Sequence, residues 1–249
     1  MSIRLVDVHK AFGPKEVLKG FSLEIQEGQT LSVIGGSGVG KSVALKHIVG
    51  LLRPDQGEVW VDGRDVTAMD QEELYEVRRD VGYVFQFAAL FDSMTINENV
   101  GMGLKRIPEW TPARISERVA ECLRLVDLDG YGDRFPAELS GGQRKRAGLA
   151  RAIATEPKYL LYDEPTTGLD PVTTAVIDGL IVRMREELGV TGVVITHDME
   201  SAFRISDRIA MLHEGRIRFE GTPEEVRGTQ DRVVRGFIEG RPDLLEVTS

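Results

Sequence analysis

The chain has 249 residues, 41% of them hydrophobic, and carries 31 basic against 40 acidic side chains for a formal charge of -9. That length buries a sizeable core, while the acidic balance supplies no overall basic field to gather nucleic acid or anionic lipid, so a membrane role would run through a partner protein. The single cysteine, Cys122, excludes an intrachain disulfide and a multi-cysteine metal site and is expected in the core.

Ile3, Leu5 and Val8, then Val17, Leu18, Phe21, Leu23 and Ile25, alternate with polar residues as half-buried strands do, with turn residues at Gly13-Pro14 and Glu27-Gly28. The start therefore predicts antiparallel β-structure. Thr30 to Ile34 is a short apolar strand entering a glycine-rich loop, after which Val43, Leu45, Ile48, Val49 and Leu52 keep a helical period that Pro54 is expected to end. Val81 to Phe85, Tyr159 to Tyr162 and Gly192 to Thr196 are apolar runs flanked by helical patterns, as expected of buried parallel strands in an α/β sheet. Between the first two, Ile115, Val119, Cys122, Leu123 and Val126 recur at helical spacing, which predicts an amphipathic helix within about Thr95 to Pro136. The longest uncharged run, Gly28 to Gly40, is glycine-rich and short of the ~20 apolar residues a spanning helix needs. No secretory signal pattern, internal repeat or low-complexity linker is expected to interrupt the fold.

Gly35-Gly36-Ser37-Gly38-Val39-Gly40-Lys41-Ser42 fits GxxxxGK[ST] between a strand and a helix. Glycines there let backbone N–H groups wrap phosphate oxygens at a helix N-terminus, Lys41 reaches the β- and γ-phosphates, and the Ser42 hydroxyl suits Mg²⁺. Asp163 ends the strand Tyr159 to Tyr162, where a carboxylate faces the ligand crevice and suits Mg²⁺, and Glu164 beside it is a candidate general base. Gln86 follows the strand Val81 to Phe85, and His197 follows Gly192 to Thr196, so both are expected at the sheet edge that carries Lys41 and Asp163.

Downstream of the phosphate loop lies Leu139-Ser140-Gly141-Gly142-Gln143. With these motifs the chain resembles an ATPase subunit of the ATP-binding cassette (ABC) transporters over nearly its whole length. The resemblance implies an α/β P-loop NTPase of the ABC type, with a RecA-like parallel-sheet core, an N-terminal antiparallel β-subdomain and a helical signature subdomain. It implies one domain over 1–240, the helical subdomain inserted at about 95–138, and a flexible tail over 241–249. By the same resemblance the ligands are ATP and Mg²⁺, with Val39 and Val43 in the phosphate loop and Phe12 stacking on adenine. Gln86 is the Q-loop residue, a Mg²⁺ ligand alongside Ser42 and Asp163, His197 is the switch histidine, and Thr167-Gly168-Leu169-Asp170 is the D-loop. Ser140, Gly141, Gly142 and Gln143 would cap the ATP of a second copy, which implies a homodimer with two composite ATP sites.

Within the family, residues 35–43, the run Phe87-Ala88-Ala89-Leu90-Phe91-Asp92-Ser93-Met94-Thr95 and the segment Arg235-Gly236-Phe237-Ile238 look like the Mla/Mce-type lipid-transport ATPases. Most of the family has Thr where this chain has Val43, so a hydroxyl near the α-phosphate is lost. This finer resemblance implies phospholipid transport in a Gram-negative envelope, attachment to the cytoplasmic face of the inner membrane through a permease, and an MCE-type lipid-shuttle partner. Phe87, Leu90 and Phe91 would receive a coupling helix of the permease. Val233 to Glu239 would pack on the partner ATPase or on a small accessory subunit. Competing expectations are the ATPase of a polar amino-acid importer, a non-transport ABC protein of translation or DNA repair, and a cassette that binds ATP without hydrolysing it. The short span from Gln86 to Leu139 leaves no room for the long coiled coil of the second, and Lys41, Asp163, Glu164 and His197 argue against the third.

Overall fold

A computed structural model describes residues 2–245. The chain opens on the hairpin β1 (Ser2–Phe12) and β2 (Lys15–Gln26), then β3 (Thr30–Ile34), α1 (Lys41–Ile48), β4 (Gln56–Val61), β5 (Arg64–Asp65) and α2 (Gln71–Arg79). Next come β6 (Val81–Val84), α3 (Ile96–Gly101), α4 (Pro112–Leu125), α5 (Gly141–Ile153), β7 (Tyr159–Asp163) and α6 (Pro171–Leu188). Finally, β8 (Thr191–Ile195) and α7 (Met199–Ile205) precede the hairpin β9 (Arg208–His213) and β10 (Arg216–Gly221), and α8 (Pro223–Gly228), α9 (Arg232–Ile238) and α10 (Pro242–Leu245) follow. Contacts divide the chain into two units, one up to Val77 and from Thr191 onward, the other Arg78–Val190.

The first unit holds an antiparallel sheet in the order β2-β1-β4-β5. Its alternation is the predicted one: Ile3 pairs with Ile25 and with Val61, Leu5 with Leu23 and with Val59, and all are buried. In the same unit β3 lies between β8 and β9, parallel to both, and β10 closes antiparallel on β9. Every residue of β3 and β8 is buried, which explains why these strands read as continuous apolar runs rather than as alternating ones. β8 begins one residue earlier than expected and stops at Ile195, before Thr196.

Helix α1 ends sooner than the apolar period suggests. Gly50 turns the chain at φ 61°, its N–H donating to His47 O, while Leu51 N donates to Lys46 O, so a left-handed glycine and not Pro54 is the stop signal. The C-terminal segment also departs from expectation. Val233 and Val234 of α9 are buried against Ile34, Ala202, Ile209, Met211 and Val226, with Phe237 and Ile238 packed on that cluster. Val233 and Val234, within the segment expected to meet a partner ATPase or an accessory subunit, are thus used inside the chain, while Phe237 and Ile238 are only partly buried. Helix α10 occupies part of the stretch 241–249 expected as a tail, whose residues 246–249 lie outside the described residues.

In the second unit β6 and β7 are parallel, from Val81 opposite Tyr159 to Val84 opposite Tyr162. β6 stops one residue before Phe85, and β7 runs on to include Asp163. The region about 95–138 holds α3, α4 and the 3-10 turns Leu104–Arg106 and Pro136–Glu138. Helix α4 starts from Thr111, whose hydroxyl accepts from Arg114 N, and buries Val119, Cys122 and Leu123 in the predicted period. Cys122 is fully buried, and burial pushes its thiol up to about 11, which leaves it inert as a nucleophile. Arg118, buried on the same helix, donates to Ile153 O at 2.8 Å and Ala154 O at 3.2 Å and so caps the C-terminus of α5.

One buried titratable group makes the stability of the first unit pH-dependent. His47 on α1 is 1% exposed, donates from Nδ1 to Val43 O at 2.7 Å, and is held by burial below its ordinary pKa of 6.5. The unfolded chain therefore takes up a proton near pH 6.5 that the folded chain refuses, so this contribution to stability is full above that pH and is lost as the pH falls below it. Denaturant midpoints at about pH 7.5 and about pH 5.5 check this, the wild type losing more on acidification than His47→Leu. Equal losses in the two proteins would contradict it.

Candidate active site

In the first unit the flush ends of parallel strands set the site. Val33 of β3 pairs with Ile195 of β8, so Gly35 and Thr196-His197 leave neighbouring strands at the same edge. At Gly35 and Gly40 the loop of residues 35–42 is held too close to its surroundings for side chains: a Cβ at Gly35 would lie 2.4 Å from Leu212 O, and one at Gly40 2.7 Å from Val17 Cγ1. Both positions have positive φ, 149° and 109°, which glycine adopts at no steric cost. Gly36, Ser37, Gly38 and Val39 form the body of the loop, with Ser37 and Gly38 exposed.

Lys41, 6% exposed, donates from Nζ to Gly35 O at 2.9 Å and Gly36 O at 3.0 Å, so its side chain lies over the loop. Ser42 and Val43 are half-buried on the first turn of α1. That helix starts at Gly40 with no side-chain cap and no acidic residue in its first turn, so the positive end of its dipole suits phosphate. His197 is exposed, between the buried Thr196 and Asp198, which caps α7 by accepting from Ser201 N. Phe12 is 48% exposed at the end of β1, opposite Lys15, with Lys10 Nζ 5.8 Å from its ring centre.

The second unit repeats the arrangement. Val84 pairs with Tyr162, so Phe85-Gln86 and Asp163-Glu164 emerge from β6 and β7 at one edge. Asp163 is 9% exposed and accepts from the Tyr83 hydroxyl at 3.1 Å. Burial, then the charge of Asp163, pushes the Tyr83 pKa up, so its hydroxyl stays a donor. Glu164 has φ 53°, a left-handed conformation costing on the order of 1–3 kcal/mol for a residue other than glycine, and its Oε2 accepts from Thr167 Oγ1 at 3.0 Å.

Ser140 caps α5: its Oγ accepts from Gln143 N at 3.2 Å while its own N–H donates to Gln143 Oε1 at 2.9 Å. Gly141 and Gly142 form the first turn, and a Cβ at Gly142 would lie 2.5 Å from Thr173 Cγ2, which explains a small residue there. Asp170 caps α6, accepting from Val172 N and Thr173 N at 3.0 Å, and the Thr173 hydroxyl first, then these N–H groups, hold its carboxyl below the usual range. Its carboxylate is used locally, on its own helix.

Several residues that organise this unit escaped sequence reading. Lys145 on α5, 8% exposed, donates to Gln86 O and, at 3.4 Å, to Glu164 O; burial lowers its pKa, with the Glu164 charge opposing. Arg151 on the same helix donates to Ala88 O at 2.7 Å and Ala89 O at 2.6 Å. These two alanines have φ 60° and 49°, and Ala89 N donates to Phe87 O at 2.7 Å, a three-residue turn of a rare kind. Asn99, fully buried on α3, accepts from Phe91 N and donates to Phe91 O, Met94 O and Thr95 O. The apolar run from Phe87 to Thr95 is thus a pinned loop, from which Phe87 (83% exposed) and Phe91 (48%) project while Leu90 is half-buried. A lone Asn or Lys on a helix carries no such signal.

A family model described as ABC transporter matches residues 18–167. The sulfate/thiosulfate import ATP-binding protein CysA of Synechocystis sp. is 41% identical over 96% of this chain and 66% of its own length. The chloroplastic protein TRIGALACTOSYLDIACYLGLYCEROL 3 of Arabidopsis thaliana is 42% identical over 95% of this chain and 73% of its own. The chain therefore spans just under two thirds of the first of these relatives. Among solved structures, the dimeric post-hydrolysis state of the ATP-binding cassette MJ0796 bound to ADP and Pi matches with a TM-score of 0.81 at 36% identity, covering 89% of this chain and 98% of that one. A parallel-sheet core entered by a phosphate loop, beside an antiparallel sheet, is the fold these proteins share, and at this level of identity the chain belongs to the ABC transporter family.

Proposed function

We propose that this chain binds and hydrolyses ATP with Mg²⁺ and serves as the energy-coupling subunit of a membrane transporter. The observation that carries the reading is the flush strand ends, which deliver the phosphate loop and His197 at one edge of the first unit and Gln86, Asp163 and Glu164 at one edge of the second. The uncapped N-terminus of α1 and the close contacts at Gly35 and Gly40 make a cradle of phosphate-binding shape. Lys41 then neutralises the β- and γ-phosphates, with backbone N–H groups of residues 36–43 around them. A serine hydroxyl and a carboxylate are hard oxygen ligands that fit Mg²⁺, and Ser42, Asp163 and Gln86 would hold it. Held there, it would supply positive charge to neutralise the charge that develops on the phosphate oxygens.

Glu164 takes the proton of the attacking water, and Thr167 orients its carboxylate. His197 contacts the γ-phosphate, and Phe12, exposed at the end of its hairpin, stacks on adenine. Ser140–Gln143 open a helix that favours anions and would close over the ATP of a second copy, with Asp170 in the adjoining loop. The solved relative MJ0796 is described as dimeric with ADP and Pi, which supports a homodimer with composite sites. Closure on ATP and opening after hydrolysis drive the permease.

The pinned loop that presents Phe87 and Phe91 supports a permease helix docking there. No described helix is long and apolar enough to cross a membrane, and attachment to the cytoplasmic face of the inner membrane would run through that permease. For cargo we favour phospholipid, with an MCE-type partner, on the character of the Phe87–Thr95 loop and on a relative named for a galactolipid. The second reading, sulfate import, is favoured by the relatives named for it.

Glu164→Gln should lower phosphate release at least ~10²-fold while ATP binding persists; near-normal turnover would remove Glu164 as the base. In the Glu164→Gln background, Ser140→Arg should abolish ATP-dependent dimerisation by light scattering, and an unchanged dimer would contradict the composite site. Purification of the tagged chain from detergent-solubilised native membranes, with mass spectrometry of subunits and bound small molecules, should recover a permease, a single-span MCE-type subunit and phospholipid. Recovery of a sulfate-binding subunit instead would replace the cargo.

A further inference from the structure

The side of α5 that follows the Ser140 cap reaches the backbone of two catalytic elements. Lys145 has its stem in a small apolar cavity with Val84, Leu149, Tyr162 and Pro165, and its ammonium at the carbonyls of Gln86 and Glu164. Three residues further along, Gly148 lets the helix come so near that a Cβ would sit 3.1 Å from Ala88 Cβ. Three further again, Arg151 holds the carbonyls of Ala88 and Ala89. The backbone from Gln86 to Ala89 therefore lies along α5, with a charged donor at each end.

We infer that Lys145 is a positioning residue for ATP hydrolysis, fixing the peptides of Gln86 and Glu164 to the helix that begins at Ser140. The inference rests on the reading of Gln86 and Glu164 given above. An ammonium has three donors and no acceptor, so one side chain satisfies carbonyls of the segments that follow two strands at once. The direction of the Glu164 side chain depends on a left-handed peptide, and that peptide's carbonyl is the one Lys145 holds. A pull on Ser140 would reach the base and Gln86 through this single side chain.

Lys145→Met keeps the shape of the stem and removes the charge and all three donors, while Lys145→Arg restores a charged donor. In the purified full chain the expected pattern for Lys145→Met is kcat at least ~10-fold lower, a Kd for ATP within about threefold of wild type, and partial recovery of kcat in Lys145→Arg. A merely structural role would lower thermal stability and ATP affinity together and leave kcat per folded molecule unchanged, and that result would overturn the inference. If Lys145→Met fails to fold, Lys145→Gln, which keeps a neutral donor, is read by the same criteria. Glu164→Gln in the same assay separates the two failures. Wild-type turnover there removes the base and the inference with it, whereas an inactive Glu164→Gln beside a fully active Lys145→Met overturns the inference alone.

Discussion

Parallel strands that end in step leave their following residues at one edge, and in each unit that registration puts polar groups together that the chain order keeps far apart. Ile195 opposite Val33 sets His197 beside the phosphate loop, and Tyr162 opposite Val84 sets Asp163-Glu164 beside Gln86. A slip of one residue in either pair would turn the strand's side chains to the other face, so the buried apolar runs of β3, β8 and β7 hold the chemistry in register. Core packing and site geometry are in this sense one constraint.

The loops beyond those ends need a second source of rigidity, which the two units obtain differently. In the first, close approach does it at the two ends of the loop, where Leu212 O and Val17 Cγ1 leave no room for side chains at Gly35 and Gly40. In the second, charged donors do it. Helix α5 is capped at its start by Ser140 and Gln143 and at its end by Arg118, and between them Lys145 and Arg151 satisfy carbonyls of the Gln86–Ala89 turn and of Glu164. Buried cations held by carbonyls are costly to leave unpartnered, which makes the arrangement sensitive to the loss of the carbonyls that Lys145 and Arg118 hold.

This division also explains what the sequence made legible. Glycine motifs, strand ends and the capping turn at Ser140 are local signals, because each follows from a few neighbouring residues and a backbone rule. Buried strands stood out because both faces are covered. β4 was harder, since Gln56, Gly57 and Glu58 are exposed, and so was β10, which alternates exposed and half-buried residues on the open side of β9. The stop of α1 at Gly50 and the packing of the partly buried Phe237 and Ile238 on the cluster that holds Val226 and Val234 depend on tertiary neighbours that no local pattern names. Lys145, Arg151 and Asn99 were illegible for the same reason: on a helix they look like solvated side chains, and only the loop packed against them supplies their partners.

Strain follows those partners. Ala88, Ala89 and Glu164 are non-glycine residues at positive φ, each at a cost on the order of 1–3 kcal/mol, and all three have a carbonyl held by a cation of α5. A hydrogen bond to a charged donor contributes roughly 1.5–3 kcal/mol, enough to offset such a cost but not to remove it. The turn after β6 and the peptide after Asp163 are therefore held against their own preference by one helix. A helix that moves would take both with it, and a helix that stays fixed keeps both in their strained positions, which gives α5 a lever on the two loops that neither loop's own residues provide.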